Sequence, residues 1–343
     1  MENRKVVIIG DGAVGSTIAY TLMMQDYVNE IAIIDLNINK VEGDVLDMVH
    51  GISFVAPKTI KVGTYEDVKD AHIIVITAGV GQKDGETRLD LLKRNIKVFD
   101  SIIEKIKPNL SDEAIVLVVT NPVDLLTLHT YKKLGISSNR VIGSGTVLDT
   151  SRLKFLLSKE AGVDARNIHA LVIGEHGDSE VSAFSVSTIA GLPIDKFLEE
   201  NGKKVEEVYE ELHEKVKNSA YEIINKKGAT FYAIGLSTAK IIETILNNQK
   251  SVLTVSTFIE NEFNGMIQNV YLSLPSVVGR NGVERILHLE YSYSEVLKLI
   301  ESSRKLLETY GSCSECGKWF KINKKSIIIN ECRFSSVGRA TPS

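Results

Sequence analysis

KVVIIGDGAVG, residues 5–15, joins an apolar β-branched run to a glycine-rich turn and then to the start of a helical pattern. In such a turn, Gly10 permits the sharp change of direction and Gly12 leaves room for a pyrophosphate beside the backbone. Gly15 allows close packing of the helix, whose amino end presents free amides and a positive dipole end to phosphate groups. The stretch therefore predicts a strand, a phosphate-binding turn and a helix.

A matching acidic residue follows the second apolar run, residues 30–34. Asp35 lies 20 residues after Gly15, where the carboxylate of a dinucleotide-binding unit accepts a hydrogen bond from a ribose 2′-hydroxyl. A 2′-phosphate at this place would meet a like charge. The two features together favour NAD over NADP as a cofactor.

The first half of the chain alternates short apolar runs with longer amphipathic ones. The apolar runs are rich in Val and Ile, which is typical of parallel strands covered by helices on both faces. They are residues 5–9, 30–34, 59–62, 72–77 and 115–120. Helical patterns separate them, at residues 14–25, 39–50, 88–107 and 123–134. This alternation predicts an α/β fold, with a Rossmann-type doubly wound parallel sheet in an NAD-binding domain over residues 1–144.

The pattern changes near residue 145. Helical stretches and shorter alternating runs follow without the earlier alternation of strand and helix, which predicts an α+β catalytic domain over residues 145–310. The helical stretches are residues 149–160, 203–225 and 294–309, and the alternating runs are 168–173, 180–189, 251–259 and 266–274.

Residues 311–343 have a different composition. They carry six basic and two acidic residues, the only tryptophan (Trp319) and all three cysteines, Cys313, Cys316 and Cys332. Three thiols without a neighbouring histidine are one ligand short of a structural zinc site, so no metal site is expected. We expect this segment to be a disordered tail.

Length and composition limit the classes of protein to which the chain can belong. At about 150 residues per domain, its 343 residues suggest two domains. A formal net charge of −4 gives no basic footprint for nucleic acid or an anionic membrane. No apolar run approaches the roughly 18–20 residues that span a bilayer, and the first strand begins too early for a signal peptide. We expect a cytoplasmic protein that binds neither nucleic acid nor membrane.

Four further segments place polar side chains at strand ends or at helix starts. They are Gly79–Arg88, Thr120–Asp124, Asp149–Arg152 and Gly174–Asp178. Together with the glycine-rich turn, and in this order, they resemble the motifs of NAD-dependent L-lactate and malate dehydrogenases. The resemblance covers about residues 5–307 and includes Gly228-Ala-Thr230; within the family the chain looks like a bacterial L-lactate dehydrogenase. It implies NAD as the cofactor and a homotetramer.

The resemblance also implies a role for each polar residue. His176 is expected to be the acid–base residue that protonates the carbonyl oxygen of pyruvate as hydride arrives from NADH. Asp149 is expected to orient the imidazole, and Arg152 to bind the substrate carboxylate through two parallel bonds. Arg88, on a mobile loop, is expected to close over the substrate and polarise the developing alkoxide.

Two sets of contacts follow from the same resemblance. The substrate is expected to contact Gln82, Arg88, Asn121, Arg152 and Thr230. The cofactor is expected to contact Gly10, Gly12, Ala13, Val14, Gly15, Asp35, Gly79, Asn121 and Ile234.

Gln82 distinguishes the two main substrates. In the resembling family this loop position carries arginine in malate dehydrogenases and glutamine in lactate dehydrogenases. Burying the second carboxylate of oxaloacetate without a cation is unfavourable by several kcal/mol, whereas pyruvate presents only a methyl group. L-Lactate dehydrogenase activity is therefore favoured. Malate dehydrogenase activity, a branched-chain 2-hydroxy acid substrate and a non-catalytic NAD-binding protein are the alternatives.

The resemblance further suggests regulation by fructose 1,6-bisphosphate. Bacterial relatives of this type often bind it across a subunit interface with an arginine and a histidine, and those positions hold Lys154 and His169 here. An ammonium pairs with phosphate only as a point charge. Activation is therefore expected to be weak, and stronger at acidic pH, where imidazoles gain positive charge.

Overall fold

A computed structural model of the protein describes residues 4–81 and 85–314. These residues form nine α-helices and sixteen β-strands. The helices are α1 (Ala13–Met23), α2 (Ile38–His50), α3 (Arg88–Ile106), α4 (Val123–Leu134), α5 (Val147–Ala161), α6 (Ile194–Glu200), α7 (Val205–Lys227), α8 (Tyr232–Leu246) and α9 (Tyr293–Gly311). The strands are β1 (Lys5–Ile9), β2 (Glu30–Ile34), β3 (Thr59–Val62), β4 (Ile73–Ile76), β5 (Ile115–Val118), β6 (Val141–Gly143), β7 (Ile168–His169), β8 (Val172–Ile173), β9 (Val181–Ser182), β10 (Thr188–Ile189), β11 (Leu192–Pro193), β12 (Ser251–Leu253), β13 (Ser256–Glu262), β14 (Ile267–Ser273), β15 (Ser276–Gly279) and β16 (Gly282–Ile286).

The main sheet of the described residues has eight strands in the order β14-β13-β6-β5-β4-β1-β2-β3. Strands β1 to β6 are mutually parallel. The chain runs from β1 outward to β3 and then crosses to β4 on the other side of β1. The carboxyl ends of β1 and β4 therefore form a topological switch point, where open α/β sheets bind their ligands.

Helices cover both faces of this sheet. Side chains alternate along β1, so that Val7 and Ile9 join a core with α3, α4 and α9. Val6 and Ile8 point the other way, into a core with α1, α2 and α8. Burial on both faces explains why the central strands β1, β4 and β5 are almost entirely apolar.

A third, smaller core lies in the second half of the chain. It is formed by buried residues of α5, α6 and α7 with the short strands β7 and β8. Three small antiparallel sheets accompany it, in the orders β11-β10-β7, β12-β15-β16 and β8-β9. The Rossmann-type sheet followed by an α+β part agrees with the predicted fold class.

The second half differs from the sequence prediction in several places. Residues 168–173 form the two short strands β7 and β8, residues 180–189 contain β9 and β10, and α6, β15 and β16 lie outside the predicted stretches. Residues 251–259 were predicted as one strand of the second domain, but they form β12 and part of β13. Strand β13 pairs antiparallel with β6, and β14 pairs with β13, so this hairpin extends the first sheet. Helix α8, which packs on α1, was not predicted. The sequence of α8 is apolar, and its burial depends on contacts with distant parts of the chain, so its local pattern did not distinguish a helix.

The final helix continues through Gly311, and Cys313 is buried in the core beside it. The folded part thus extends beyond residue 310, where the sequence placed the start of a tail. Cys316, Trp319 and Cys332 lie outside the described residues. The division into domains at residue 145 stays a prediction. No helix within the described ranges is both long and apolar enough to cross a membrane.

Candidate active site

The loop after β8 holds His176. Gly174 begins it with a φ of +90°, a conformation that favours glycine. Gly174 and Ser273 of β14 exchange two backbone hydrogen bonds of 2.9 Å. On the other side, the hydroxyl of Ser302 in α9 accepts a 2.9 Å hydrogen bond from the Glu175 amide. The loop is therefore fixed between the main sheet and the last helix.

A buried carboxylate joins the imidazole of this loop to a guanidinium. His176 Nδ1 lies 2.6 Å from Asp149 Oδ2, and Arg152 Nη1 donates to Asp149 Oδ1 at 2.7 Å. The Asp149 side chain is 2% exposed, whereas His176 and Arg152 are 23% and 13% exposed. Because Asp149 and Arg152 are three residues apart at the start of α5, the helix presents both on one side. The His176 imidazole and the Arg152 guanidinium are therefore partly exposed to solvent, while the Asp149 carboxylate that both contact is buried.

The three groups shift one another's protonation equilibria. Burial opposes the charge on His176, but Asp149 and the more distant Glu180 and Asp124 raise its pKa to about 9. Burial alone would raise the pKa of Asp149, yet His176 and Arg152 hold it below its ordinary value. The imidazole is thus a protonated acid at neutral pH, stabilised by a permanent anion.

A second carboxylate holds the backbone of His176. Asp124, at the start of α4, accepts the His176 amide at 2.8 Å on Oδ2 and the Ser256 hydroxyl at 2.5 Å on Oδ1. Burial raises the pKa of Asp124 to about 6, despite these two donors. This side chain ties the loop of His176 to α4 and to β13.

A third carboxyl group, that of Glu180, completes the cluster. One oxygen each of Asp149 and Glu180 and one ring nitrogen of His176 lie within 4.8 Å of one another. Burial and the neighbouring Asp149 raise the pKa of Glu180 to about 8. Such a set can ligate a cation in principle. Here, however, one oxygen of Asp149 already contacts the His176 imidazole and the other accepts from the Arg152 guanidinium, so both oxygens have partners.

The glycine-rich turn lies at the switch point of the sheet. Gly10 has a φ of +109°, and a Cβ there would lie 2.4 Å from the Ala78 nitrogen, which follows β4. A Cβ on Gly15 would lie 1.8 Å from the Gly10 carbonyl oxygen. A Cβ on Gly12 would meet no protein atom within 4 Å. Gly10 and Gly15 are therefore required by the fold itself, and Gly12 leaves open space above the amino end of α1.

Two acidic side chains flank this turn. Asp35, after β2, accepts the backbone amides of Asp11 at 2.7 Å and of Asn37 at 2.9 Å. Asp11 is buried and pairs with Lys40 at 3.0 Å. Its Oδ1 atom has no hydrogen-bond partner among residues 4–81 and 85–314. The turn is thus tied to the end of β2 and retains one free acceptor.

Asn95 of α3 joins the other two motifs of the first domain. It is fully buried, its Oδ1 accepts the Val80 amide at 2.8 Å, and its Nδ2 donates to the Asn121 carbonyl at 2.9 Å. A Cβ on Gly79 would lie 2.4 Å from Thr120 Cγ2 and 3.0 Å from Asn95 Oδ1. The segments that follow β4 and β5 are therefore in contact, as expected for neighbouring strands.

The other expected residues fall into three groups. Asn121 is exposed after β5, Thr230 is half-buried before α8, and Ile234 in the first turn of α8 packs against the core on the α1 face. Lys154 is half-buried on α5, and His169 is exposed on β7. Gln82 and the side chain of Arg88 lie outside the described residues.

Comparison with known proteins identifies the family. The model of the lactate/malate dehydrogenase NAD-binding domain matches residues 4–143, and that of the family's α/β C-terminal domain matches residues 146–314. The chain belongs to the lactate/malate dehydrogenase family. It is 48% identical over 306 residues to an L-lactate dehydrogenase of Acetivibrio thermocellus, an alignment that covers 89% of this chain and 96% of the relative.

Other members of the lactate/malate dehydrogenase family agree with this match. An L-lactate dehydrogenase of Clostridium botulinum (strain Loch Maree) is 46% identical over 312 residues, covering 90% of this chain and 97% of the relative. The ligand-bound crystal structure of the minor L-lactate dehydrogenase from Enterococcus mundtii has a TM-score of 0.86 and 40% identity, and the match covers 90% of this chain and 98% of that one.

NAD is the cofactor of this lactate/malate dehydrogenase family member, whose first domain is an NAD-binding domain. The residues around the turn fit such a group. The open space at Gly12 and the amides at the start of α1 suit a pyrophosphate. Asp35 offers a carboxylate at the end of β2 for a ribose hydroxyl, and the free Oδ1 of Asp11 offers another acceptor nearby.

Sequence reasoning missed four residues that shape the site. Asp124 lies within a motif that predicts no role for it, and the sequence pattern gives no role to Glu180, Asn95 or Asp11. The sequence signal for these residues is that each is polar and lies in or beside an apolar segment. A polar side chain buried in such a segment requires a hydrogen-bond partner.

Proposed function

We propose that this protein is an L-lactate dehydrogenase that reduces pyruvate with NADH and catalyses the reverse reaction. The observation that carries this function is the contact of His176 and Arg152 with opposite oxygens of Asp149. An imidazolium and a guanidinium stand side by side, and these are the two groups that a 2-keto acid requires: a proton for its carbonyl oxygen and a cation for its carboxylate. Curated L-lactate dehydrogenases at 45–50% identity support the same activity.

The side chains divide the work of the reaction. Bound NADH supplies the hydride that reduces the carbonyl carbon. Arg152 binds the carboxylate, which orients the carbonyl oxygen towards His176. The imidazolium donates its proton to that oxygen, and the resulting neutral imidazole is held by Asp149 in position to accept a proton in the reverse direction. Arg88, which the sequence places on a mobile loop and the structure places at the first residue of α3, is proposed to polarise the same oxygen.

Gln82 is proposed to select pyruvate over oxaloacetate. A neutral amide leaves the second carboxylate of oxaloacetate without a counter-charge. The alternative of a non-catalytic NAD-binding protein is a separate matter, and the presence of His176, Asp149 and Arg152 together argues against it. Gln82→Arg is expected to transfer preference towards oxaloacetate by orders of magnitude in kcat/KM.

Steady-state oxidation of NADH with pyruvate and with oxaloacetate tests the activity. We expect kcat/KM for pyruvate to exceed that for oxaloacetate by orders of magnitude. His176→Gln should decrease kcat severely and leave the NADH dissociation constant nearly unchanged, because the cofactor turn lies on the other domain. A preference for oxaloacetate in the unmodified enzyme would contradict the assignment.

We further propose that the protein is a homotetramer in the cytoplasm. Large apolar side chains are exposed on or directly after three helices of one sheet face, namely Tyr20 of α1, Met24 at the end of α1, Leu46 of α2, and Tyr232 and Leu236 of α8. Such a set favours a protein–protein interface. Light scattering after size-exclusion chromatography measures the mass, and Leu46→Glu is expected to reduce it.

Fructose 1,6-bisphosphate is proposed as a weak activator that binds Lys154 and His169 of two subunits. Burial lowers the pKa of Lys154, and no acidic side chain in the described ranges forms an ion pair with it. A phosphate would supply the missing counter-charge. We expect the bisphosphate to decrease the KM for pyruvate more at pH 6 than at pH 8. Lys154→Arg should strengthen the effect, whereas an unchanged KM at both pH values would show that the site has been lost.

A further inference from the structure

Glu180 is the carboxyl group of the active-site cluster to which the reaction above gives no role. The residue is 5% exposed. Its Oε1 atom is buried and has no hydrogen-bond partner within residues 4–81 and 85–314. Since one of its oxygens lies within 4.8 Å of a nitrogen of His176 and an oxygen of Asp149, any charge on this side chain acts directly on the acid–base pair.

The groups that face Glu180 come from three elements. Asp149 and Arg152 belong to α5, His176 belongs to the preceding loop, and Lys217 belongs to α7. The positive charges of His176 and Arg152 are already shared with Asp149. Lys217 is 30% exposed and faces Glu214 at 3.7 Å. An ionised Glu180 would therefore be a second buried anion beside His176 and Arg152, whose positive charges already face the Asp149 carboxylate.

The charge of the substrate decides which form of Glu180 suits the reaction. Asp149 and the pyruvate carboxylate together balance the charges of His176 and Arg152, provided that Glu180 is neutral. We propose that Glu180 is a positioning residue for the substrate anion: its protonated form leaves Arg152 and His176 available to pyruvate, and its ionised form competes with pyruvate for them. This inference rests on the proposed pyruvate reduction. The raised pKa of Glu180, about 8, places both forms within reach of experiment.

A two-proton dependence of substrate capture follows. Pyruvate reduction requires the proton on His176, whose pKa is about 9, and the second proton on Glu180. Above both pKa values, kcat/KM for pyruvate is expected to fall about a hundredfold per pH unit, compared with about tenfold when one proton is required. Glu180→Gln keeps the size of the side chain and removes its charge, so it should leave only the dependence due to His176.

The test is the pH profile of kcat/KM for pyruvate at saturating NADH, from pH 6 to pH 10.5. The unmodified enzyme should approach a limiting slope of about −2 and Glu180→Gln a slope of about −1. At pH 6.5 the two should differ by no more than a few fold. Glu301→Gln makes the same change at an exposed carboxylate paired with Lys305, and should keep the profile of the unmodified enzyme. A slope of −1 in the unmodified enzyme, or a slope of −2 retained in Glu180→Gln, would overturn the inference.

A measurement on the unmodified enzyme keeps the test valid if Glu180→Gln fails to fold. Oxamate, an unreactive isostere of pyruvate, is titrated calorimetrically into the enzyme–NADH complex at pH 8.5 in two buffers of different ionisation enthalpy. Uptake of about one proton per site is expected, of which His176 alone accounts for about a quarter. Uptake limited to that quarter would contradict the role of Glu180. An enzyme without pyruvate turnover at any pH would instead contradict the proposed function itself.

Discussion

One imidazole held by two carboxylates in two different ways is the central feature at the scale of residues. Asp149 binds the His176 ring and sets its charge, while Asp124 binds the His176 amide and sets the position of the loop. The two contacts have different consequences. Loss of the first changes protonation, and loss of the second changes geometry.

The raised pKa of His176 makes folding stability depend on pH. Because the folded state binds this proton more tightly than the unfolded state, the stabilisation is complete below about pH 6.5 and is lost as the pH rises through about 9. The free energy of unfolding of the unmodified protein, relative to His176→Gln, should therefore fall by up to about 3 kcal/mol over this range. Urea unfolding at pH 6, 7.5 and 9.5 measures the difference. His288→Gln, at a histidine that is 74% exposed, is the control and should show no such trend.

Asp124→Ala should affect both stability and turnover. It leaves the His176 amide and the Ser256 hydroxyl without their acceptor, at a cost of about 2–4 kcal/mol in the free energy of unfolding. It should also reduce kcat, since the loop loses its attachment to α4. Thermal unfolding and steady-state kinetics measure the two effects. Ser256→Ala removes one donor and should be milder, and the double variant should fall short of the sum of the single effects. Strict additivity would show that the two side chains do not act through one another.

At the scale of elements, the connection from β1 to α1 combines a structural and a binding requirement within six residues. Gly10 and Gly15 face the backbone of the protein itself, whereas Gly12 faces open space at the start of the helix. Substitutions at neighbouring glycines should therefore have different consequences.

Gly15→Ala and Gly12→Ala form a matched pair. The first places a methyl group 1.8 Å from the Gly10 carbonyl oxygen, so we expect a loss of about 2 kcal/mol or more in stability. The second meets no protein atom, and we expect a change below about 1 kcal/mol with at least a tenfold weaker NADH affinity. Thermal unfolding and NADH fluorescence titration separate the two effects. Unchanged NADH binding in Gly12→Ala would show that the pyrophosphate does not approach this position.

At the scale of the whole molecule, the two family domains are not separate in the sheet. The hairpin of β13 and β14, which follows the loop of His176 by about eighty residues, pairs with β6 and brings Ser273 to the Gly174 backbone. His176 is thus positioned by contacts from both halves of the chain.

The end of the folded part can be tested by truncation. The family match ends at residue 314, and Cys313 is 4% exposed within the core. A chain ending at Ser314 should keep the melting temperature, the activity and the number of subunits per assembly of the full chain. A chain ending at Ser312 loses the Cys313 side chain and should be less stable by about 1–2 kcal/mol. Loss of activity in the chain ending at Ser314 would show that residues 315–343 contribute to the fold or to catalysis.

The sequence by itself determined the elements whose signal is local. Parallel strands appear as short β-branched runs, so the bounds of β1, β2 and β3 were predicted to the residue, and the glycine-rich turn marked the cofactor end of the sheet. The candidate residues His176, Asp149 and Arg152 could be named because their motifs resemble those of a known family, and the structure brings all three together.

Only the tertiary structure decided how distant polar groups are paired. Asp124 bonds to groups 52 and 132 residues away, Asn95 bridges two strand ends, and Glu180 lies beside Asp149. The same holds for β13, whose place in the first sheet depends on β6 rather than on its own pattern. The physical reason is that the charge of a buried carboxyl group depends on the groups packed around it, and the place of a strand depends on the strand with which it pairs. In both cases the partners are far apart in sequence.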